Sequence, residues 1–264
     1  MKIAIIGAGN LGLSIAEGVL HTKKAHSLYL TKRNIADIKD YDRDTTVTTT
    51  SDNREAVRNS DILVFAVQPG HFEAILRDIA ELLTDRHIII SAITGFSIER
   101  MESILGTDRN ILRCMPNTAI SVGKSMTCIC GNIKGKKQVD LAKTIFNAMG
   151  HTMEIPESQM QAATVICASG IAFWMRLIRA TTQGAIQLGF DAREAQELAM
   201  YTCNGAAQLL IESGRHPEEE IDRVTTPKGC TIQGLNEMEH QGLSSSLIQG
   251  IVASYEKINQ IKKD

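Results

Sequence analysis

Three glycines near the start of the chain are spaced so that they could hold a dinucleotide. Gly7, Gly9 and Gly12 form a G-x-G-x-x-G pattern that directly follows the apolar run 3–6. In a strand, turn and helix of this kind, the first glycine permits the sharp turn, the second lets backbone approach a pyrophosphate, and the third lets the helix pack closely on the strand. The helix then points unpaired N–H groups and its positive dipole end at the phosphates. The pattern therefore predicts a dinucleotide-binding unit.

The turn after the second predicted strand indicates which dinucleotide is bound. Domains that select NAD carry an acidic residue about 20 residues past the glycines, where it accepts a hydrogen bond from the ribose 2′-hydroxyl. This chain has Thr31, Lys32, Arg33 and Asn34 there instead. A guanidinium and hydroxyl groups suit a 2′-phosphate, which a carboxylate would repel. The turn favours NADP(H) over NAD(H), and a merely solvated basic loop is the alternative.

Three further polar residues stand where predicted strands end, namely Gln68, Thr94 and Asn117. Ligands of an open parallel sheet collect beyond the carboxyl ends of its strands. We therefore expect these residues to contact cofactor or substrate, and an ordinary polar turn is the alternative interpretation of each.

A segment in the second half, 224–239, offers a different binding chemistry. It reads VTTPKGCTIQGLNEME, and Pro227 and Gly229 interrupt the helical pattern just before Thr231. A helix that starts here leaves backbone N–H groups free. Such a helix end can hold a carboxylate without a cationic side chain, and the alternative is an ordinary helix start.

The hydrophobic pattern places these residues on an α/β fold followed by helices. Short apolar runs alternate with amphipathic helices, as in an N-terminal Rossmann-type doubly wound parallel sheet. Strands are predicted at 3–6, 27–30, 62–67, 87–93, 111–115, 126–130 and 151–155, and 40–51 is predicted to be a polar connection. Past residue 156 the patterns are helical. We predict an NADP-binding domain at 1–156 and an all-helical domain for substrate binding and dimerisation at 157–264.

Composition and charge exclude other classes of function. The chain has 264 residues, 43% of them hydrophobic, and a formal charge of −2 with no basic block. Nucleic acid is therefore not expected as a partner. No run of about 18 apolar residues predicts a membrane span, and the first apolar run is typical of a core strand rather than a signal peptide. We expect a cytoplasmic protein with no membrane partner.

The six cysteines follow no recognisable site pattern. Their spacing matches neither a zinc site nor a disulfide framework, so no metal is expected. Cys128 and Cys130 lie two apart in a predicted strand and are expected to share one face of the sheet as small apolar residues.

Three segments together resemble the pyrroline-5-carboxylate reductase family. They are GAGNLG at 7–12, LRCMPNTAISVG at 112–123, and the segment 224–239, which is close to the family signature V-[TS]-[TS]-P-G-G-x-T. The resemblance runs the whole length of the chain. It implies NADPH-dependent reduction of 1-pyrroline-5-carboxylate to L-proline, by hydride transfer to a cyclic imine. It also implies a homodimer or higher homo-oligomer formed through the C-terminal helices.

The resemblance also implies which residues form the site. Backbone N–H groups of Lys228, Gly229, Cys230 and Thr231 would hold the substrate carboxylate, and the Thr231 hydroxyl would hydrogen-bond near the ring nitrogen as the catalytic group. Ser169 would line the substrate-binding site. Implied cofactor contacts are Gly9, Asn10, Leu11, Gly12, Lys32, Arg33, Asn34, Asn53, Ala66, Val67, Gln68, Pro69, Met115, Pro116 and Asn117, to which the motif and the strand end add Gly7 and Thr94.

Two departures from the family pattern leave a rival open. The family commonly has two glycines after the signature proline, and here the first is Lys228, which would obstruct the carboxylate site or add a cation to it. The family sequence S-G-S-G-P-A-Y is replaced by CASGIAF at 167–173. A non-catalytic NADP-binding regulatory paralogue is therefore an alternative.

A related imine or β-hydroxyacid reductase is a second alternative, because those enzymes share the two-domain plan. They carry Lys and Asn in a G-x-x-x-K-x-x-x-N motif on the long helix. Here Gly170 is followed at that spacing by Trp174 and Ile178, which speaks against this alternative.

Overall fold

The computed structural model describes residues 1–23 and 25–261. The chain divides into two compact units. The first comprises residues 1–169 together with the end of the last helix from Tyr255, and the second comprises residues 170–254.

An eight-stranded sheet forms the centre of the first unit. Its strand order is β3-β2-β1-β4-β5-β6-β7-β8. The strands are β1 (Lys2–Ile6), β2 (Ser27–Thr31), β3 (Val47–Thr50), β4 (Ile62–Phe65), β5 (Ile88–Ser91), β6 (Asn110–Met115), β7 (Ser125–Gly131) and β8 (Gly150–Glu154). The chain runs outward from β1 to β3 and returns past β1 to β4, so the strand order reverses beside β1. Ligands of such sheets bind at this switch point, and the predicted Rossmann-type fold is confirmed.

Helices cover both faces of this sheet, as a doubly wound fold requires. The helices are α1 (Asn10–His21), α2 (Asn53–Arg58), α3 (Pro69–Ile79), α4 (Ile98–Leu105) and α5 (Val139–Phe146). Ile3 and Ile5 share a buried cluster with α1 and α5, whereas Ala4 and Ile6 share one with α2, α3 and α4. Successive strand residues point to opposite faces, so an unbroken apolar run such as β1 supplies both cores. Each fully buried Ile contributes about 1.5–3 kcal/mol relative to exposure.

The first difference from the predicted sheet is strand β3. It lies within 40–51, which was predicted to be a polar connection, and its sequence is Val-Thr-Thr-Thr. Val47 and Thr49 are its buried positions, and Thr48 is exposed. Threonine is β-branched and favours strands despite its hydroxyl group. A search for apolar runs therefore misses this edge strand.

The second difference is the direction of the last two strands. β7 pairs antiparallel with β6, and β8 pairs parallel with β7. The sheet is therefore mostly parallel, as predicted, with one antiparallel pair at this edge. A parallel neighbour needs a crossover of a dozen or more residues, and residues 116–124 are too few to form one.

The second unit is helical. It contains α7 (Gly170–Gln187), α8 (Ala192–Ser213), α9 (Pro217–Val224), α10 (Cys230–His240) and the first part of α11 (Leu243–Ile261). In the first unit, α6 (Met160–Ala163) and a π-helical turn, Thr164–Ser169, lead into α7. Asp191 caps α8 by accepting from the N–H groups of Arg193 and Glu194, and Gly214 ends it in the left-handed region.

One helical stretch of the described chain, Glu157–Gln187, is long and apolar enough to cross a membrane by length and composition alone. Its most apolar 18-residue window has a mean hydropathy of 1.4. The sequence-based expectation considered only unbroken runs of apolar residues. Polar residues such as Gln161 and Thr164 interrupt the helix 157–187, so that it contains no unbroken run of this length. A helix that packs against other helices of a protein can be as apolar as one that crosses a membrane.

We expect Gly12→Ala to destabilise the fold. A Cβ at Gly12 would overlap the carbonyl oxygen of Gly7, whereas a Cβ at Gly9 would meet nothing within 4 Å. Because backbone cannot give way as a side chain can, the expected loss in the free energy of unfolding is about 2–3 kcal/mol. Gly9→Ala is the matched control and should stay within about 0.5 kcal/mol. Urea unfolding measures both, and equal losses would contradict the close approach.

Candidate active site

A cavity of about 530 Å³ lies beside the glycine turn in the first unit. The turns after β1, β2 and β4 and the start of α2 line it, at the carboxyl edge of the sheet. Eight residues predicted to bind cofactor line it: Gly7, Gly9, Lys32, Arg33, Asn53, Ala66, Val67 and Gln68. It is also lined by residues that were not predicted as contacts: Ala8, Thr31, Ser51, His71, Ala74 and Ile75.

Backbone hydrogen bonds hold the glycine turn in place. The N–H groups of Gly7 and Ala8 donate to the carbonyl oxygen of Thr31, at 3.2 and 2.8 Å. Gly7 has a φ of +102°, which glycine adopts at little cost. The turn is thereby bonded to the end of β2, which brings the two halves of the predicted cofactor site together.

The first turn of α1 contains backbone N–H groups that have no helical partner. The first helical hydrogen bond of α1 runs from the N–H of Leu13 to the carbonyl of Gly9. Gly9 is the N-cap, and no side chain within the described residues caps the helix. Asn10, Leu11 and Gly12 do not line the cavity, but their N–H groups lack helical partners at a positive dipole end. This arrangement suits a pyrophosphate.

The two cations of the basic turn after β2 differ in their surroundings. Lys32 Nζ lies 3.0 Å from Asp37 Oδ2. Asn34 accepts from the N–H of Ala36 and donates to Asp37, and it lies outside the cavity lining. Arg33 is exposed and has no ion-pair partner among residues 1–23 and 25–261. Arg33 is therefore the group of this turn that is best placed to neutralise a 2′-phosphate.

The other predicted cofactor contacts lie along the same edge of the sheet, outside this cavity. Pro69 is the first residue of α3, and Thr94 follows β5. Met115 and Pro116 are buried at the end of β6. Asn117 accepts from the N–H of Ala119 and donates from Nδ2 to the Cys167 carbonyl oxygen at 3.0 Å. The Asn117 side chain thus already bonds within the protein, through its carbonyl oxygen and one of its two amide hydrogens.

The predicted substrate residues fall in two places. Lys228, Gly229, Cys230 and Thr231 lie together in the second unit, where the N–H of Gly229 donates to the carbonyl of Thr226 at 2.9 Å. Gly229 is the N-cap of α10, and no described side chain caps that helix. The N–H groups of Cys230 and Thr231 are therefore available to an anion. Ser169 is exposed and ends the π-helical turn of the first unit.

The turn before α10 explains why the family favours glycine at position 228. Pro227 holds the second position of the hydrogen-bonded turn and Lys228 the third, with a φ of +61°. A turn of type II requires a positive φ at its third residue and favours glycine there. Lys228 therefore adopts a conformation that costs about 1–2 kcal/mol for a residue with a Cβ.

Two of the lining residues that were missed had a recognisable signal. Ser51 precedes Asp52, which caps α2 by accepting from the N–H of Arg54 at 2.8 Å. His71 lies in the first turn of α3, which begins with Pro69 directly after the turn from β4. Both sit at helix starts that follow strands. Helix-start patterns, added to the strand-end rule, would have found them.

Comparison with known proteins decides the family. Residues 157–261 match the family described as pyrroline-5-carboxylate reductase dimerisation, and residues 2–95 match the one described as NADP oxidoreductase, coenzyme F420-dependent. Pyrroline-5-carboxylate reductase 2 of Dictyostelium discoideum is 40% identical over 97% of this chain and 91% of its own length. The chain belongs to the pyrroline-5-carboxylate reductase family. The resemblance noted in the sequence is confirmed.

Two further members of the family extend the comparison. Pyrroline-5-carboxylate reductase 1 of Dictyostelium discoideum is 44% identical over 97% of this chain, which spans about half (49%) of that relative. The Plasmodium falciparum pyrroline carboxylate reductase, solved with NADP bound, superposes with a TM-score of 0.88 at 25% identity. That superposition covers 99% of this chain and 98% of the other. The likeness therefore includes both compact units of this chain.

We expect Lys228→Gly to stabilise the protein. Removing the Cβ relieves the positive φ, and the greater freedom of glycine in the unfolded chain offsets part of that gain, leaving about 0.5–1 kcal/mol. The matched control is Lys124→Gly, at an exposed position whose φ is not positive, and it should lose stability. Urea unfolding of the three proteins tests this. A loss of stability at both positions would contradict the strain at Lys228.

Proposed function

We propose that this protein reduces 1-pyrroline-5-carboxylate to L-proline, by hydride transfer from NADPH to the cyclic imine, in proline biosynthesis. The observation that carries the proposal is the 40% identity to a pyrroline-5-carboxylate reductase over 97% of this chain and 91% of that relative. The proposed cofactor-binding and substrate domains are residues 1–156 and 157–264.

The cofactor assignment is supported by the chemistry of the first unit. The start of α1, whose N-cap Gly9 lines the cavity, suits a pyrophosphate, and the exposed guanidinium of Arg33, which lines the same cavity, suits a 2′-phosphate. The Plasmodium falciparum relative was solved with NADP bound. We therefore propose NADP(H) as the cofactor and NAD(H) as a weaker alternative.

The residues of the chain would act mainly by binding and orientation. A protonated C=N bond is already electrophilic, and the nicotinamide, when bound, supplies the hydride. The N–H groups of Cys230 and Thr231 would hold the substrate carboxylate, and the Thr231 hydroxyl would orient the ring nitrogen. Positioning of this kind lowers the activation barrier of hydride transfer, because the entropy of aligning the reactants is lost on binding and not in the chemical step.

We further propose a homodimer or higher homo-oligomer, formed through the C-terminal helices and located in the cytoplasm. Residues 157–261 match a dimerisation family. Large apolar side chains are exposed on α7 and α8, including Trp174, Tyr201, Leu209 and Ile211. In the single chain, 22% of the apolar window of 157–187 is buried. A second copy that covers these helices accounts for that composition better than a membrane does, since α8 carries the same kind of exposed residues.

We expect Arg33→Ala to raise the KM for NADPH and leave the KM for NADH nearly unchanged. The loss of a charged hydrogen bond of about 1.5–3 kcal/mol corresponds to roughly 10- to 100-fold. Lys32→Ala is the matched control and should have a smaller effect, because Asp37 already pairs with Lys32. Steady-state kinetics with both cofactors measures this. Equal effects of Arg33→Ala on both cofactors would show that the 2′-phosphate assignment is wrong.

We expect Thr231→Ala to lower kcat about 10- to 100-fold while NADPH binding stays unchanged, because the lost hydrogen bond orients the substrate ring and not the cofactor. Thr231→Ser keeps the hydroxyl and should retain most of the turnover. NADPH oxidation with racemic pyrroline-5-carboxylate and NADPH fluorescence titration supply the two measurements. Normal NADPH binding by the unaltered protein without turnover of this imine would favour the regulatory paralogue.

A further inference from the structure

Two cysteines that are distant in sequence lie side by side in the first unit. The sulfur atoms of Cys128 and Cys167 are 3.8 Å apart, although the residues are separated by 39 positions. Cys128 is buried on β7, and Cys167 is half-buried in the π-helical turn Thr164–Ser169. A disulfide has a sulfur separation of about 2.05 Å, so closure requires an approach of less than about 2 Å. A π-helical turn is a local departure from regular helix, and it carries the more exposed partner.

The two thiols have opposite chemical characters. The hydrogen bond from Cys128 lowers the pKa of Cys167 to about 7. The same bond, together with burial, raises the pKa of Cys128 far above its usual range. Since the thiolate is the nucleophile in disulfide exchange, Cys167 is the attacking group and Cys128 the resolving one. Burial raises the pKa of the neighbouring Cys130 to about 11 and also raises that of Cys114, so neither competes.

This pair is bonded to the end of β6. The Asn117 side chain donates to the Cys167 carbonyl oxygen at 3.0 Å, and the N–H of Asn117 donates to Ser125 Oγ at 3.1 Å. A shift of the π-helical turn toward β7 would therefore move Asn117 and with it the end of the segment 115–117. The family pattern has serine where this chain has Cys167, so the pair is not supplied by the family signature.

We propose that Cys128 and Cys167 form a reversible thiol–disulfide site that reacts with low-molecular-weight disulfides, and that its oxidation lowers reductase activity by displacing Asn117. The thiol–disulfide site itself is inferred from the 3.8 Å distance between the two sulfur atoms. The effect of its oxidation on activity rests on the proposed function.

The exchange balances in two steps. The Cys167 thiolate attacks one sulfur of the small disulfide to form a mixed disulfide. The S–S bond of the small disulfide breaks, and the small thiolate that leaves takes up the proton that Cys167 lost on ionising. The Cys128 sulfur then attacks Cys167, its proton leaves, and the second small thiol is released. The protein loses two thiol hydrogens and two electrons, and the small disulfide is reduced to two thiols.

The first experiment measures the bond without any assay of activity. The full-length protein is incubated with oxidised glutathione, and its free thiols and peptide masses are determined. We expect the loss of two of its six thiols and a linked peptide pair that contains Cys128 and Cys167. Cys167→Ser and Cys128→Ala should each abolish the link. Cys203→Ser, at a half-buried cysteine of α8, is the matched control and should retain it.

Mixed disulfides at Cys203 or the exposed Cys230 without a Cys128–Cys167 link would overturn the site. The site is supported if Cys203→Ser retains the Cys128–Cys167 link and both Cys167→Ser and Cys128→Ala lose it, even if one of the last two variants folds poorly.

The second experiment tests the effect on activity. Turnover of pyrroline-5-carboxylate is measured before oxidation, after oxidation and after treatment with dithiothreitol. We expect a reversible loss of turnover in the unaltered protein and in Cys203→Ser, and no loss in Cys167→Ser. A formed link with unchanged turnover, or equal inhibition of Cys167→Ser, overturns the coupling to Asn117. A protein that never turns over the imine refutes the proposed function, while the linked peptides still decide the thiol site.

Discussion

The close approach of backbone to backbone in the turn after β1 is the constraint on which the first unit depends. The carbonyl of Gly7 occupies the space that a Cβ of Gly12 would need. The same turn is bonded to β2 through the carbonyl of Thr31. These contacts bring the start of α1 and the basic turn to one edge of the sheet, where Gly9, the N-cap of α1, and Arg33 line the same cavity. The predicted phosphate site therefore depends mainly on how the backbone of this turn packs.

A second organising contact lies between β6 and the chain that follows β8. The buried Arg113 guanidinium donates to Glu157 Oε1 at 2.9 Å, and the N–H of Ile98 donates to the same oxygen at 2.7 Å. A buried guanidinium such as that of Arg113 is tolerated when a carboxylate pairs with it. This contact joins β6, the start of α4 and the beginning of the helical region just before α6. It thereby sets the π-helical turn against β6 and β7, where Asn117 and Cys128 meet Cys167.

The parts of the fold that could be predicted are those with a local signal. The strands that form apolar runs and the glycine turn depend on neighbours within a few residues, and they were recovered. β3 escaped because its inward residues are Val47 and Thr49 rather than two large apolar ones. The antiparallel direction of β7 was not predicted, because strand direction depends on the path of the connecting chain. The hydrophobic pattern alone does not indicate that path.

By itself the sequence determined the family, the dinucleotide-binding turn and the unusual lysine at position 228, because each is carried by residue types at short, regular spacing. Tertiary structure decided which of these groups are free to act. It pairs Lys32 with Asp37 but gives Arg33 no ion-pair partner in the part of the chain that the structure describes, engages the side chain of Asn117 within the protein, and brings Cys128 to Cys167. The last two partnerships join residues that are 50 and 39 positions apart in the chain, so local sequence patterns do not indicate them. They emerge only when strands and helices pack and each buried polar group must find a partner.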